Sequence, residues 1–210
     1  MKILVTAFEP FGSNALNSSQ EVATLLPDAI GECVVVRELL PVDFRTVGNQ
    51  LRSLIERHTP DVVLMLGQSR KFAGLSIERV ALNLMDATNP DNSGYIPVNE
   101  VIHSDGATAH LTTFPVRELS EACHQKGIAA QISNSAGTYV CNRVYYEALY
   151  TIAKNRLPIQ ALFVHLPFIP EQGKMPSIAK EDLAEGIVTI MTKTLSLPWH
   201  TIDNLNASNT

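Results

Sequence analysis

Short unbroken runs of Val, Ile and Leu recur along this chain, with segments of helical period between them. Ile3-Leu4-Val5, Cys33-Val34-Val35-Val36, Val62-Val63-Leu64-Met65-Leu66 and Ala161-Leu162-Phe163-Val164 are the clearest. A strand that is apolar on both sides has no face for water, so its sheet must be covered twice. The spacing predicts strands over Ile3–Ala7, Glu32–Leu39, Val62–Leu66 (broken by Gly67), Leu75–Leu84, Ala107–Leu111, Ala129–Ser133 and Ala161–Leu166. Helical faces fall between them. One starts at a Ser18 or Ser19 cap and reaches Leu26. A second, capped by Asp43, carries Val47, Leu51, Leu54 and Ile55 and ends before Pro60. A third is marked by Val116, Leu119 and Cys123 and stopped by Gly127. A fourth follows Cys141, and the last runs from about Ser177 to Leu195. Strands alternating with helices predict an α/β fold, a three-layer α/β/α sandwich on a largely parallel, twisted open sheet.

The 210 residues suit one sizeable core, and no linker, repeat or low-complexity tract divides them, so a single domain over 1–210 is expected. The polar stretch 85–106 contains Asn89-Pro90-Asp91-Asn92-Ser93-Gly94 and reads as a protruding loop; the polar tail 198–210 reads as frayed. A net charge of −5 argues against electrostatic nucleic-acid binding. The apolar N-terminal run is too short for a signal core, and no segment approaches a membrane span. Three scattered cysteines make no disulfide framework. A cytoplasmic protein is expected, with no membrane or nucleic-acid partner. Cys123 and His124 lack paired zinc spacing, and Gly67 opens no phosphate-loop fingerprint, so neither metal nor cofactor is expected.

In open α/β sheets, ligands bind beyond the carboxyl ends of the strands. That rule collects Phe8, Phe11 and Asn17, then Gly67 and Gln68, then Cys141, then His165. Cys141 follows Ser135-Ala136-Gly137-Thr138-Tyr139-Val140 at a predicted helix start, where the dipole and free N–H groups favour a thiolate. Of the six histidines, only His165 lies in an apolar strand near that edge, so it is the candidate base. Glu78, within the apolar Leu75–Leu84 run, is the candidate acceptor for the second ring nitrogen. Taken singly, each has a plain structural reading: a buried thiol, a satisfied core histidine, a glutamate paired with Arg79, packing phenylalanines. For Cys33 and Cys123 the core reading is favoured.

Together these residues resemble the pyroglutamyl peptidase I (pyrrolidone carboxyl peptidase) family of cysteine exopeptidases. The resemblance covers nearly the whole chain. It rests on Thr6-Ala7-Phe8-Glu9-Pro10-Phe11-Gly12, Gly67-Gln68, Ile77-Glu78-Arg79-Val80-Ala81-Leu82-Asn83, Ser133 to Asn142, and Val164-His165-Leu166-Pro167. It implies a Glu78, Cys141, His165 triad and hydrolysis of the amide bond after an N-terminal pyroglutamyl residue through a thioester. It also implies a lactam pocket with Phe8 and Phe11 as walls and Asn17 and Gln68 as polar contacts. Homodimers or homotetramers are common in the family. Where the family often has Gly-Gln-Ala-Gly-Gly-Arg, this chain has Gly67-Gln68-Ser69-Arg70-Lys71-Phe72, and Arg70 is a candidate replacement for the displaced arginine. Two other readings share the fold: a non-catalytic ligand-binding domain, and an enzyme of different acyl-transfer or nucleoside-cleaving chemistry.

Overall fold

The structure is a computed structural model that describes residues 1–197; the expectation for the tail 198–210 lies outside the described residues. The chain runs β1 (Lys2–Phe8), α1 (Ser18–Leu25), β2 (Ala29–Ile30), β3 (Cys33–Leu40), α2 (Val47–His58), β4 (Val62–Gln68), β5 (Leu75–Glu78) and β6 (Val80–Leu82). It continues through β7 (Ala109–Leu111), α3 (Val116–Gln125), β8 (Ala130–Ser133), α4 (Val140–Asn155), β9 (Gln160–Leu166) and α5 (Lys180–Ser196). Seven strands form the main sheet in the order β2-β3-β1-β4-β9-β5-β8. β3, β1, β4 and β9 pair in parallel; β5 lies antiparallel to β9 and parallel to β8.

Side-chain alternation sorts the core into two layers. Ile3, Val5, Leu64, Leu66, Ile77 and Val164 face one way and are covered by α1, α3 and α5. Leu4, Val63, Met65 and Phe163 face the other way, under α2 and α4. The expected α/β/α layering is therefore the observed one. Both layers close completely: Ile3, Val63, Leu66, Phe163 and Val164 are all fully buried.

Several local expectations change. Gly67 does not break its strand, because β4 continues through it to pair with β9, Gly67 opposite His165 and Gln68 opposite Leu166. The predicted strand Leu75–Leu84 is two strands. β5 stays in the main sheet, whereas β6 leaves it after Arg79 to pair with β7. The first helix is capped by Asn17 rather than by Ser18 or Ser19; its Oδ1 accepts from Ser19 N at 3.0 Å and Ser19 Oγ at 2.9 Å. Thr46 rather than Asp43 is the cap position of α2, although Asp43 Oδ1 still accepts from Arg45 N and Thr46 N. Gly127 ends α3 as predicted, at φ +74°, a conformation glycine adopts without cost.

The stretch 85–106 does not stand free. Met85 bridges Glu100, Asp91 is buried and accepts from Phe44 N, and Asn83 Oδ1 accepts from Ile102 N and His103 N. It folds back over the α2/α4 face, so its first residues come to lie beside the start of α4.

Candidate active site

Alternation along β9 puts His165 on the same side as Phe163, the α2/α4 side, and alternation along β5 puts Glu78 there too. Ser76 is opposite His165 and Glu78 is opposite Phe163, so Glu78 and His165 are diagonal cross-strand neighbours, within reach of long side chains. His165 Nδ1 lies 2.8 Å from Glu78 Oε1, and both side chains are buried. Glu78 pairs with this imidazole and not with Arg79. Its Oε2 is buried without a partner, so the imidazole is the group that offsets the desolvation of the carboxylate.

Cys141 occupies the second position of α4, above this pair. The strand beneath it must be flat at that point. A Cβ on Gly67 would lie 3.0 Å from Cys141 Sγ and 2.6 Å from the Phe163 ring, so only glycine lets β4 pass under the thiol. Tyr139, the cap residue of α4, makes no side-chain cap bond, which leaves the first-turn N–H groups uncapped beside Cys141.

The electrostatics follow from this packing. Burial alone would push the His165 imidazolium down. Hydrogen bonds to Cys141 and Glu78, and their negative charge, outweigh it and raise the ring to about 9. With Nδ1 committed to Glu78, Nε2 is the ring nitrogen left for the thiol. Cys123, by contrast, is pushed up to about 11 by burial, and Cys33 is raised for the same reason; both sit in the core. All three thiols are free.

Cys141, His165 and Glu78 open onto a cavity of about 600 Å³. Phe11, Tyr139 and Phe168 supply its aromatic wall, and Gln68 lines it as well. Gln68 Oε1 accepts from Ser18 N at 2.9 Å and Gln172 Nε2 at 2.8 Å; the backbone donor fixes the amide orientation and leaves the –NH2 end for a ligand. Phe8 and Asn17 are placed differently from the other two pocket candidates. Phe8 is 2% exposed and belongs to the core, and Asn17 is 1% exposed, caps α1 and donates to Glu9 O at 3.0 Å. Neither lines the open cavity: Phe8, the last residue of β1, faces the core by strand alternation, and Asn17 turns inward to hold the β1–α1 loop in place. Among the described residues, no cluster of three His, Cys, Asp or Glu could hold a metal ion.

Three residues that build the site were missed by sequence reasoning. Asn142 is fully buried and ties the start of α4 to the β6 segment: its Oδ1 accepts from Leu82 N, and its Nδ2 donates to Leu82 O and Leu84 O, each at 2.9 Å. Tyr145, one turn on, donates to Glu78 O at 2.9 Å. Tyr139 packs edge-on against Phe44 at 5.1 Å and donates to Pro90 O at 2.8 Å. Asn142, a buried amide in an apolar helix, carried a readable signal, since such a group needs partners. The two tyrosines carried none beyond ordinary packing.

The geometry has close counterparts. The family profile described as pyroglutamyl peptidase matches residues 1–195. A pyrrolidone-carboxylate peptidase of Thermococcus onnurineus is 40% identical over 198 residues, covering 93% of this chain and 99% of that one. One from Lactobacillus johnsonii is 39% identical over 196 residues, covering 91% of each. The crystal structure of pyrrolidone carboxyl peptidase from Pyrococcus furiosus superposes with a TM-score of 0.89 at 36% identity, covering 93% of this chain and 99% of that chain. The enzyme from Thermococcus litoralis gives 0.88 at 34%, covering 93% of each.

Proposed function

Because the chain belongs to the pyroglutamyl peptidase family, we propose that Cys141, His165 and Glu78 carry out its reaction, the hydrolytic removal of an N-terminal pyroglutamyl residue from peptides. The observation that supports this assignment most directly is the Glu78–His165 pair, 2.8 Å apart and buried, on the same cavity as Cys141. An imidazolium beside the sulfur favours the thiolate, the form that attacks. The thiolate adds to the pyroglutamyl carbonyl carbon, and the uncapped N–H groups at the start of α4 receive the oxyanion. The C–N bond breaks as His165 Nε2 gives its proton to the leaving amine. Water, deprotonated by the now neutral ring, attacks the thioester; pyroglutamate leaves and the sulfur is released. Glu78 holds the ring in the orientation that both transfers need.

The same proposal extends to the pocket. The pyroglutamyl group is a flat, uncharged lactam, and Phe11 and Tyr139 offer aromatic walls while the Gln68 –NH2 can donate to the ring carbonyl. Phe8 and Asn17 brace the loop from behind. Free thiols fit a reducing, cytoplasmic setting, and among the described residues no helix is long and apolar enough to cross a membrane.

A homo-oligomer is part of the same proposal. Val98 and Val101, 71% and 61% exposed, stand with Ile96 on the 85–106 segment as an apolar surface fitted to a second copy. Val98→Asp is expected to lower the mass measured by light scattering; a wild-type monomer at micromolar concentration would exclude the oligomer. For the chemistry, Cys141→Ala is expected to abolish release from a fluorogenic pyroglutamyl amide while the circular dichroism spectrum is unchanged. Near wild-type turnover by that variant would remove Cys141 from the mechanism.

A further inference from the structure

The cavity is larger than a five-membered lactam needs, and the charged side chains in its otherwise neutral remaining lining are mostly cationic. Arg70 and Lys71 line it from the β4–β5 connection, and Lys174 from the segment after β9; all three are exposed. Among the described residues, neither the Arg70 nor the Lys71 side chain has a hydrogen-bond or ion-pair partner, while Lys174 Nζ donates to Asn14 Oδ1. Glu78 is committed to His165, so Asp86 is the one lining carboxylate left to oppose them. This is a local reversal of sign in a chain of net charge −5. The connection that carries the pair is pinned. The Phe72 ring folds over Gly74, where a Cβ would lie 2.5 Å from it and 2.5 Å from Ala129 O, so Arg70 and Lys71 are carried outward on an anchored turn.

The pyroglutamyl group carries no charge, so these cations have nothing to recognise in it. What lies beyond the scissile bond is the leaving peptide. We propose that Arg70 and Lys71, assisted by Lys174, form a specificity-determining subsite for a carboxylate on the leaving-group side. That carboxylate is either an acidic side chain next to the pyroglutamyl residue or the terminal carboxylate of a pyroglutamyl dipeptide. The inference rests on the peptidase reading above and adds a substrate class to it. Long cationic side chains at a partly open site attract a carboxylate weakly one at a time but act together.

The test uses the full-length enzyme and four peptides: pyroglutamyl-alanine amide as neutral reference, pyroglutamyl-alanine, pyroglutamyl-glutamate amide and pyroglutamyl-lysine amide. The ratio of kcat/KM for each to that of the neutral amide is the readout. Wild type is expected to favour one or both carboxylate-bearing peptides by about five- to tenfold at low salt. The effect should appear chiefly in KM and shrink in 0.5 M salt, on the order of the screening expected for exposed charges. Which peptide gains tells a side-chain from a terminal carboxylate. Arg70→Glu/Lys71→Glu is expected to invert the ratio in favour of the lysine peptide, which a merely structural role for the turn would not do. Equal ratios for all peptides in wild type, or ratios unmoved by the charge reversal, overturn the subsite and leave the peptidase reading standing. No release from the neutral amide by wild type overturns both.

Discussion

At the scale of single residues, His165 is set by two opposed effects. Burial disfavours its charged form, while Cys141 and Glu78 favour it, and the second influence prevails, so the ring titrates near 9 rather than at its ordinary 6.5. A folded-state value above the unfolded one stabilises the fold fully below about 6.5, and that contribution is lost as pH rises through about 9. The stability advantage of wild type over His165→Gln, measured by urea unfolding, is therefore expected to be largest below about pH 6.5 and to shrink as pH rises from there through about 9. A difference that stays constant over that range would contradict the charged, paired state. The same residue shows what could be read in advance. A lone histidine in an apolar strand, a glutamate in another and a cysteine at a helix start were each visible. Their convergence depends on strand register, which no local pattern encodes. Phe8 and Asn17 show the converse: both lie at the right edge of the sheet, but whether a side chain points into a cavity or into the core is decided by strand alternation at Phe8 and by how the loop folds back at Asn17.

Elements impose the finer placement. The carboxyl-end rule serves β1, β4 and β9, which run in parallel, but β5 and β8 run the other way. Glu78 reaches His165 from the side, by a diagonal across an antiparallel pair, a geometry that alternating apolar residues could not reveal. The division of Leu75–Leu84 into β5 and β6 was hidden for the same reason, since both halves keep the strand period. The sequence predicts a break at Gly67, yet its lack of a side chain is what allows β4 to lie under Cys141. Gly67→Ala tests this. Its methyl would meet the Phe163 ring at 2.6 Å and the sulfur at 3.0 Å. A cost of about 1–3 kcal/mol in stability is expected from overpacking. Because the thiol is displaced, kcat should fall by at least about tenfold, as small misplacements of reacting groups do. Activity retained alongside lowered stability would mean that the ring, and not the sulfur, gives way.

Across the whole molecule, a second buried charge cluster holds the α2/α4 layer together away from the thiol. Glu147 is fully buried on α4 and is bonded to Arg143 one turn earlier, to Arg52 of α2 and, at 2.9 Å, to His103 of the 85–106 segment. A Cβ on Gly48 would strike the Arg143 guanidinium, so α2 is thinned at that point to admit it. Burial would raise the Glu147 carboxyl, but Arg143 and His103 hold it below its ordinary 4.5; its contribution is complete above that pH and is lost as pH falls below it. Glu147→Ala strands two cations and is expected to cost about 3–5 kcal/mol, lowering the thermal midpoint by roughly 10 °C, readable by calorimetry. A change below about 1 kcal/mol would show that the cluster is solvated in practice. The sheet order carries a consequence of another kind. Among the described residues β9 is the last strand to be synthesised, yet it is inserted between β4 and β5, near the middle of the sheet. Until it emerges from the ribosome, Glu78 has no imidazole to orient and Cys141 has no base. A nascent chain therefore carries an unarmed thiol from the synthesis of Cys141 until His165 is in place, and hydrolytic competence arrives with the insertion of a single late strand.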